Sequence, residues 1–517
     1  MYESDNKDWR KGKTIPGSLN DNIRASTPTL DEIKYKLRRS DNLDKKSVDK
    51  YKSTSDEKIN SYEKKNKNVH EIVPLSVEVC VRSDINIYEY SNSDEKYMKK
   101  DLIAHRIKRY FSLQANVGLG KIEVPKIGDS FLRKVCTDIN LSLNYSPIEK
   151  MSDKDSLYCS SEDIPIYQTE LNIYIYQLNK LSEEEYLCDD SNVSNEKNSE
   201  SPIWRFWLLP NIEFDGLWDS LHYENGLKQQ LMDYTSTSLI LSDCGIDNNI
   251  INWNHLILLY GSPGTGKTSI SRAISQKIGI RHFNKYQNIY LIEINAHSLF
   301  SKWFSESGKT VVKLFAKIRT LLEESDSFVI IIIDEIESIS SARKQSLGRN
   351  EPSDSIRVVN ALLTQIDSLK KYTNTLLMTT TNIIDSIDEA FLDRADLKLY
   401  IPLPSIYTRY LILNECIQEL INKNVLFCNS DKSYIKLLNY KEAILYRNER
   451  VKTTEINISN LVLHISRNTE GFSGRNLRKL PFITLLSCHK FGIPLEIQTF
   501  IEKMKNIVDE KPEILRN

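Results

Sequence analysis

The run Gly261-Ser262-Pro263-Gly264-Thr265-Gly266-Lys267-Thr268 has the spacing G-x-x-x-x-G-K-[ST], with Ser269 opening the stretch that follows. Those residue types suit a nucleoside triphosphate. Glycines let backbone N–H groups close around phosphate oxygens where a side chain would obstruct. Lys267 would neutralise β- and γ-phosphate charge, and the Thr268 hydroxyl would ligate Mg²⁺. A chance glycine-rich turn would not need every fixed position to match. Sixty-seven residues after Lys267, Asp334 and Glu335 close the apolar run Phe328–Ile333. Asp334 would hold Mg²⁺, directly or through water, and Glu335 would act as general base on the attacking water. An acidic pair capping the next helix is the competing account. Behind a phosphate loop, the second carboxylate points to hydrolysis of ATP, not to transfer onto a hydroxyl substrate. Asn382 ends LLMTTTN, where its amide either helps hold the lytic water beside Glu335 or caps the strand.

These residues need elements to aim them. Apolar runs at His255–Gly261, Ile289–Ala296, Phe328–Asp334, Thr375–Asn382 and Leu397–Leu403 read as strands, separated by helical stretches such as TSISRAISQKIG and SIRVVNALLTQIDSL. Continuous apolar strands alternating with helices predict an α/β domain with a parallel sheet covered on both faces. Its functional residues would lie at the carboxyl ends of the strands. After Pro404 the strands largely stop, and 405–517 reads as a helical lid domain. Upstream, VPLSVEVCVR and TELNIYIYQLN alternate like half-buried strands around the helical DLIAHRIKRYF, a small α+β domain. The expected division is a disordered basic tail over 1–70, an N-terminal α+β domain over 71–210, an ATPase domain over 211–404 and a lid over 405–517. The tail carries 17 basic and 12 acidic residues and too few large apolar ones to offset chain entropy. The segment 181–201 has seven acidic residues to one basic and reads as a solvated surface loop.

A chain of 517 residues suggests about three domains. Its 69 Lys and Arg against 70 Asp and Glu leave a formal charge of −1, which gives no reason to expect a dedicated nucleic-acid or membrane binder. The longest strongly apolar run, Phe328–Ile333, falls well short of the ~20 residues of a bilayer span. The charged start MYESDNKDWRK does not resemble a secretory signal. Eight scattered cysteines without a C-x-x-C pair read as free thiols, and the eight histidines show no metal-binding spacing. An intracellular protein, neither secreted nor in a membrane, is expected.

GSPGTGKT, IIIIDE, TTTN and AFLDRAD together resemble the AAA+ P-loop ATPases. EFDGLWDSLHY, LIEINAHSLFSKWFSESGK, EPSDSIRVVNALLTQID, DRADLKLYI and GFSGRNLRKLPF resemble, more specifically, the pachytene checkpoint protein 2 homologue family. The resemblance covers about 205–485, is weaker over 71–204 and is absent over 1–70. It implies a homohexameric protein remodeller using ATP and Mg²⁺, with an N-terminal substrate-recognition domain. The implied cargo is a HORMA-domain protein, reached with or without an adaptor and converted from a closed to an open form, at the nucleus or chromosome and in the cytoplasm. By the same resemblance Arg394 is the arginine finger reaching the neighbouring subunit, ahead of Arg409 and Arg343, and Arg475 is the sensor on the lid. Without it, either arginine would read as an ordinary surface ion pair. Trp303 and Phe304 are implied to form a pore loop gripping an extended chain; burial in the domain's own core is the alternative. Ser262 stands where many relatives have Pro. Other AAA+ cargoes, or a nucleotide-dependent scaffold, remain the competing functions.

Overall fold

The computed structural model describes residues 73–85, 96–143, 164–185, 204–246, 250–296, 307–338, 353–427, 436–448, 453–488 and 494–510, apart from Asn225, Asn252 and Ser325. The tail, most of the acidic segment, and Trp303, Phe304 and Arg343 lie outside the described residues.

The N-terminal sheet has the order β3-β4-β1-β6, with β1 (Val73–Val81), β3 (Gly120–Ile122), β4 (Cys136–Leu143) and β6 (Thr169–Gln177). β1 runs antiparallel to β4 and parallel to β6. A small pair, β2 (Asn116–Val117) and β5 (Ile164–Pro165), sits beside it. Helix α1 (Lys96–Ser112) buries Ile103, Ile107 and Phe111 against Val77, Val79 and Val81, and α2 (Ser130–Val135) is capped by the Asp129 carboxylate. The alternation in β1 predicts a wet face at Ser76, Glu78 and Cys80, yet all three are buried.

The ATPase sheet has the order β13-β9-β12-β11-β10-β8-β7. Its parallel strands are β9 (Leu256–Tyr260), β10 (Asn288–Asn295), β11 (Ser327–Asp334), β12 (Thr375–Thr381) and β13 (Leu397–Tyr400). Burial on both faces explains why β11 reads as unbroken Ile and Val. Ile331 and Ile333 pack with Val311 and Phe315 of α6 (Ser307–Leu322) and Leu362 and Ile366 of α7 (Ser353–Leu369). Ile330 and Ile332 pack instead with Leu231 of α4 (Leu227–Asp243) and Ile270 and Ile274 of α5 (Lys267–Arg281).

Two strands correct the expected boundary at 210. β8 (Trp204–Leu209) pairs antiparallel with β10, and β7 (Ser182–Glu185) pairs antiparallel with β8. Both belong to the ATPase sheet, so the N-terminal sheet ends with β6. The start of the acidic segment is therefore an edge strand and not simply a loop. The exposed Glu183 suits that place, because charge on an edge discourages pairing with another chain. Alternation in a short strand does not say which sheet it joins.

The lid comprises α9 (Ile406–Asn422), α10 (Tyr440–Leu445), α11 (Thr454–Asn468), α12 (Gly474–Cys488) and α13 (Ile497–Glu510), preceded in the chain by the short helices α3 (Leu217–Ser220) and α8 (Glu389–Leu392) of the ATPase domain. It has its own core around Tyr410, Phe472, Leu480, Phe500 and Met504. One short parallel pair, β14 (Leu426–Phe427) with β15 (Leu495–Glu496), ties it together. Among the described residues no helix is long and apolar enough to cross a membrane.

Candidate functional site

β9 ends in the glycine-rich loop, and α5 begins at Lys267, so the loop sits at the carboxyl edge of the sheet. Two of the glycines there meet the lid and Tyr223 at positive φ. Gly264 (φ +77°) lies so close to the lid that a Cβ would stand 2.8 Å from Ser473 Oγ and 3.1 Å from the Arg475 Cβ. Gly266 (φ +97°) leaves room for the Tyr223 hydroxyl, which donates to the carbonyls of Gly266 (3.1 Å) and Thr265 (3.3 Å). Tyr223 thus clamps the outside of the loop while its interior amides stay available for an anion.

Lys267 is 7% exposed, and its ammonium donates to the carbonyls of Gly261 (2.8 Å) and Ser262 (2.9 Å). Burial lowers its pKa, opposed by the negative charges of Glu337, Asp334 and Glu335. A buried cation satisfied mainly by backbone carbonyls is well matched to phosphate. Thr268 Oγ1 donates to Asp334 Oδ1 at 2.8 Å, which brings together a hydroxyl and a carboxylate, the oxygen donors Mg²⁺ prefers. The loop cradle, the buried ammonium and this oxygen pair fit a magnesium–nucleotide complex.

Parallel pairing sets β12 beside both β9 and β11, and its carboxyl end completes the site. Thr380 Oγ1 donates to Asp334 Oδ1 and accepts the Glu335 backbone N–H at 3.1 Å. Glu335 has φ +56°, a left-handed conformation that costs a non-glycine residue about 1–3 kcal/mol. Its side chain is exposed at the sheet edge. Asn382 donates from both its backbone N–H (3.1 Å) and its side-chain Nδ2 (2.7 Å) to Glu337 Oε1. That leaves Asn382 Oδ1 as the amide atom for a water.

The lid closes the site. The backbone N–H of Arg475 donates to the Gly264 carbonyl at 3.1 Å, at the start of α12. A cavity of about 400 Å³ lies between loop, hinge and lid, lined by Tyr223, Gly264, Pro404, Ile412, Gly474 and Arg475 among others. Its mixture of apolar wall and backbone polar groups suits a planar base.

A family model for the ATPase family associated with various cellular activities (AAA) matches residues 257–403, and one for the TRIP13-like AAA+ ATPase lid C-terminal domain matches 405–512. The Gallus gallus pachytene checkpoint protein 2 homolog is 37% identical over 441 residues, covering 84% of this chain and 94% of that one. This chain belongs to the pachytene checkpoint protein 2 homolog family. The Arabidopsis thaliana homolog is 41% identical over 371 residues, covering 70% of this chain and 77% of that one. The solved structure of Caenorhabditis elegans PCH-2 superposes with a TM-score of 0.61 at 28% identity, covering 85% of this chain and 99% of that chain. As a member of that family the chain is a nucleotide-binding AAA+ ATPase, an ATP-hydrolysing enzyme.

Within this family member the fold gathers residues 261–269, Asp334, Glu335, Asn382 and Arg475 at one end of the sheet. Arg394 makes its contacts elsewhere. Its Nε and Nη2 bind the Asp367 carboxylate at 2.9 and 2.8 Å, and Nη1 donates to the Ala390 carbonyl at 2.5 Å. Arg409 is buried and donates to the carbonyls of Ser466 (2.7 Å) and Pro404 (2.9 Å), a pin between hinge and lid and not a free finger. Sequence reasoning passed over Tyr223, Glu337 and Thr380. Tyr223 lies in EFDGLWDSLHY and Thr380 in TTTN, so both were inside informative stretches, but no spacing rule assigns a buried hydroxyl to a partner 43 or 46 residues away.

Proposed function

We propose that this ATPase works as a homohexamer that partly unfolds HORMA-domain proteins, converting a closed form to an open one, in meiotic chromosome and checkpoint control. Family membership supports the cargo and the setting, in the nucleus or on chromosomes and in the cytoplasm. The observation that carries the hydrolytic part is the joining of Thr268, Asp334, Thr380 and Glu335 through one carboxylate oxygen and one threonine hydroxyl.

Thr268 and Asp334 would hold Mg²⁺, which supplies positive charge to the phosphate oxygens of ATP. Lys267 turns from the Gly261 and Ser262 carbonyls toward those oxygens and adds a second positive charge. Asn382 Oδ1 orients the attacking water, and the Glu335 carboxylate accepts its proton. Arg475 reports the occupancy of the site to the lid, since its own backbone already rests on Gly264. Arg394 acts on the site of the neighbouring subunit, and Trp303 and Phe304 grip the unfolding chain. The N-terminal α+β domain presents the substrate, with or without an adaptor.

Glu335→Gln keeps the shape of the side chain and removes the base. It should bind ATP with wild-type affinity, lower phosphate release at least 100-fold and trap cargo. HORMA-domain proteins should dominate what the full-length variant retains in ATP. Their absence would favour another cargo, and undiminished hydrolysis would overturn the assignment of Glu335.

A further inference from the structure

The geometry points to Thr380 as a positioning residue that holds both carboxylates of the hydrolytic pair in working orientation. Thr380 is 1% exposed, and its hydroxyl donates to Asp334 Oδ1 while accepting the Glu335 N–H at 3.1 Å. The neighbouring backbone is fastened by the same residue, because the Ile336 N–H donates to the Thr380 carbonyl at 3.0 Å. One residue on β12 therefore grips three successive residues at the end of β11.

That grip has a physical purpose. Glu335 is held at φ +56°, where a residue other than glycine or asparagine rarely rests without outside support. Relaxing it into the ordinary region would rotate the peptide and swing the carboxylate away from the phosphate loop. The N–H that Thr380 accepts is the handle on that peptide. The proton Thr380 donates also fixes which face of Asp334 Oδ1 remains for Thr268, whose own hydroxyl approaches the same oxygen at 2.8 Å. Valine at 380 would fill the same buried space with neither function, and serine would keep both. Neighbouring Thr379 and Thr375 spend their hydroxyls on the backbone carbonyls of Ile257 and Val329, which is sheet structure and leaves Thr380 as the threonine among them directed at the site.

This inference rests on Glu335 being the base, so the test carries Glu335→Gln alongside Thr380→Val and Thr380→Ser in the full chain. With Thr380→Val, kcat for ATP hydrolysis should fall about 10- to 100-fold, as for loss of other supporting hydrogen bonds around a catalytic group. KM and the affinity for a fluorescent ATP analogue should stay within about threefold, and Tm within a few degrees. Thr380→Ser should restore kcat to within about threefold. In nucleotide-free protein, hydrogen exchange over residues 333–338 should quicken about tenfold with valine and not with serine. Wild-type turnover in Thr380→Val while Glu335→Gln is inactive would overturn the role of Thr380 alone. Loss of nucleotide binding or of Tm in step with kcat would overturn it too, by making Thr380 merely structural. Undiminished turnover in Glu335→Gln would remove the reading beneath it.

Discussion

At the scale of single residues, Arg394 is the side chain whose role the contacts divide most sharply. It makes a two-pronged pair with Asp367, and its guanidinium holds the Asp367 carboxyl below its ordinary pKa. With 26% and 38% of the two side chains exposed, such a pair contributes only about 0–1 kcal/mol to stability. A finger acting on a neighbouring subunit would have to exchange Asp367 for phosphate, so Asp367 would be its resting place. Asp367→Asn should then leave phosphate release within about threefold of wild type, whereas Arg394→Ala should lower it by 10³-fold or more, as trans fingers do elsewhere (~10³–10⁵). Mixing Arg394→Ala with subunits that carry an intact finger should return part of that activity. If Arg394→Ala shifts only the urea midpoint, the arginine is an ordinary brace between α7 and α8.

Helix α5 is the element that joins the site to the rest of the molecule. Its first residue is Lys267, and its final turns carry Lys277 and Arg281, which meet Glu78 on β1 of the N-terminal sheet. Glu78 and Lys277 are 3% and 7% exposed, so their charges have almost no water to fall back on. The Trp218 ring lies 5.9 Å from the Lys277 ammonium and 4.9 Å from that of Lys228, adding a second contact from the ATPase side. Burial pulls the Lys228 pKa down to about 8. Breaking a buried pair from one side costs about 3–5 kcal/mol, because the other charge is stranded. Lys277→Met leaves Arg281 3.9 Å from Glu78, so it should lower the urea-unfolding free energy by up to that amount, and adding Glu78→Gln should recover most of it. A loss under about 1 kcal/mol would mean that water reaches Glu78 and the joint is loose. The same contact explains why β1 departs from its alternating pattern. The face that Ser76, Glu78 and Cys80 present is covered by a helix from another domain, with Cys80 and Tyr176 packed on Ile280.

For the whole molecule, two histidines among the described residues bear on the acid response. Burial pulls His255 and His282 down to a pKa of about 4, against about 6.5 in an unfolded chain. Between those values the unfolded chain binds protons that the folded one refuses. Stability conferred by neutral burial is thus complete above pH 6.5 and is lost as pH falls toward 4, by up to about 1.4 kcal/mol per pH unit for a histidine as buried as His255. His255 sits 3.1 Å from Ser238 Oγ through Nδ1, and its buried Nε2 has no hydrogen-bond partner, so burial outweighs the pull of the Asp396 carboxylate toward the protonated form. Tm should therefore drop between pH 7 and pH 5, and His255→Asn should flatten that slope even if it lowers Tm at pH 7. An unchanged slope in His255→Asn would assign the acid sensitivity between pH 7 and pH 5 to His282, because carboxylates whose pKa values are lowered, such as Asp129 and Glu415, act only below their ordinary range of about 4.

Contiguous chemistry was legible along the chain. The phosphate loop at 261–268, the acidic end of β11 and the five parallel strands each declare themselves within ten residues or so, because phosphate binding and burial on both faces of a sheet are local demands on residue type. The helical texture after Pro404 was legible for the same reason. What the tertiary structure alone decided are the pairings between distant segments. Among them are Thr380 with Asp334 and Glu335, Asn382 with Glu337, Tyr223 with the loop glycines, Arg394 with Asp367, and Glu78 with Lys277. The placing of Trp204–Leu209 and Ser182–Glu185 in the ATPase sheet belongs with them. A hydroxyl, an amide or an edge strand can serve many partners equally well. Which one it takes is set by where the sheet order and the packing of α5 and the lid bring the chain together, and local periodicity carries no record of that.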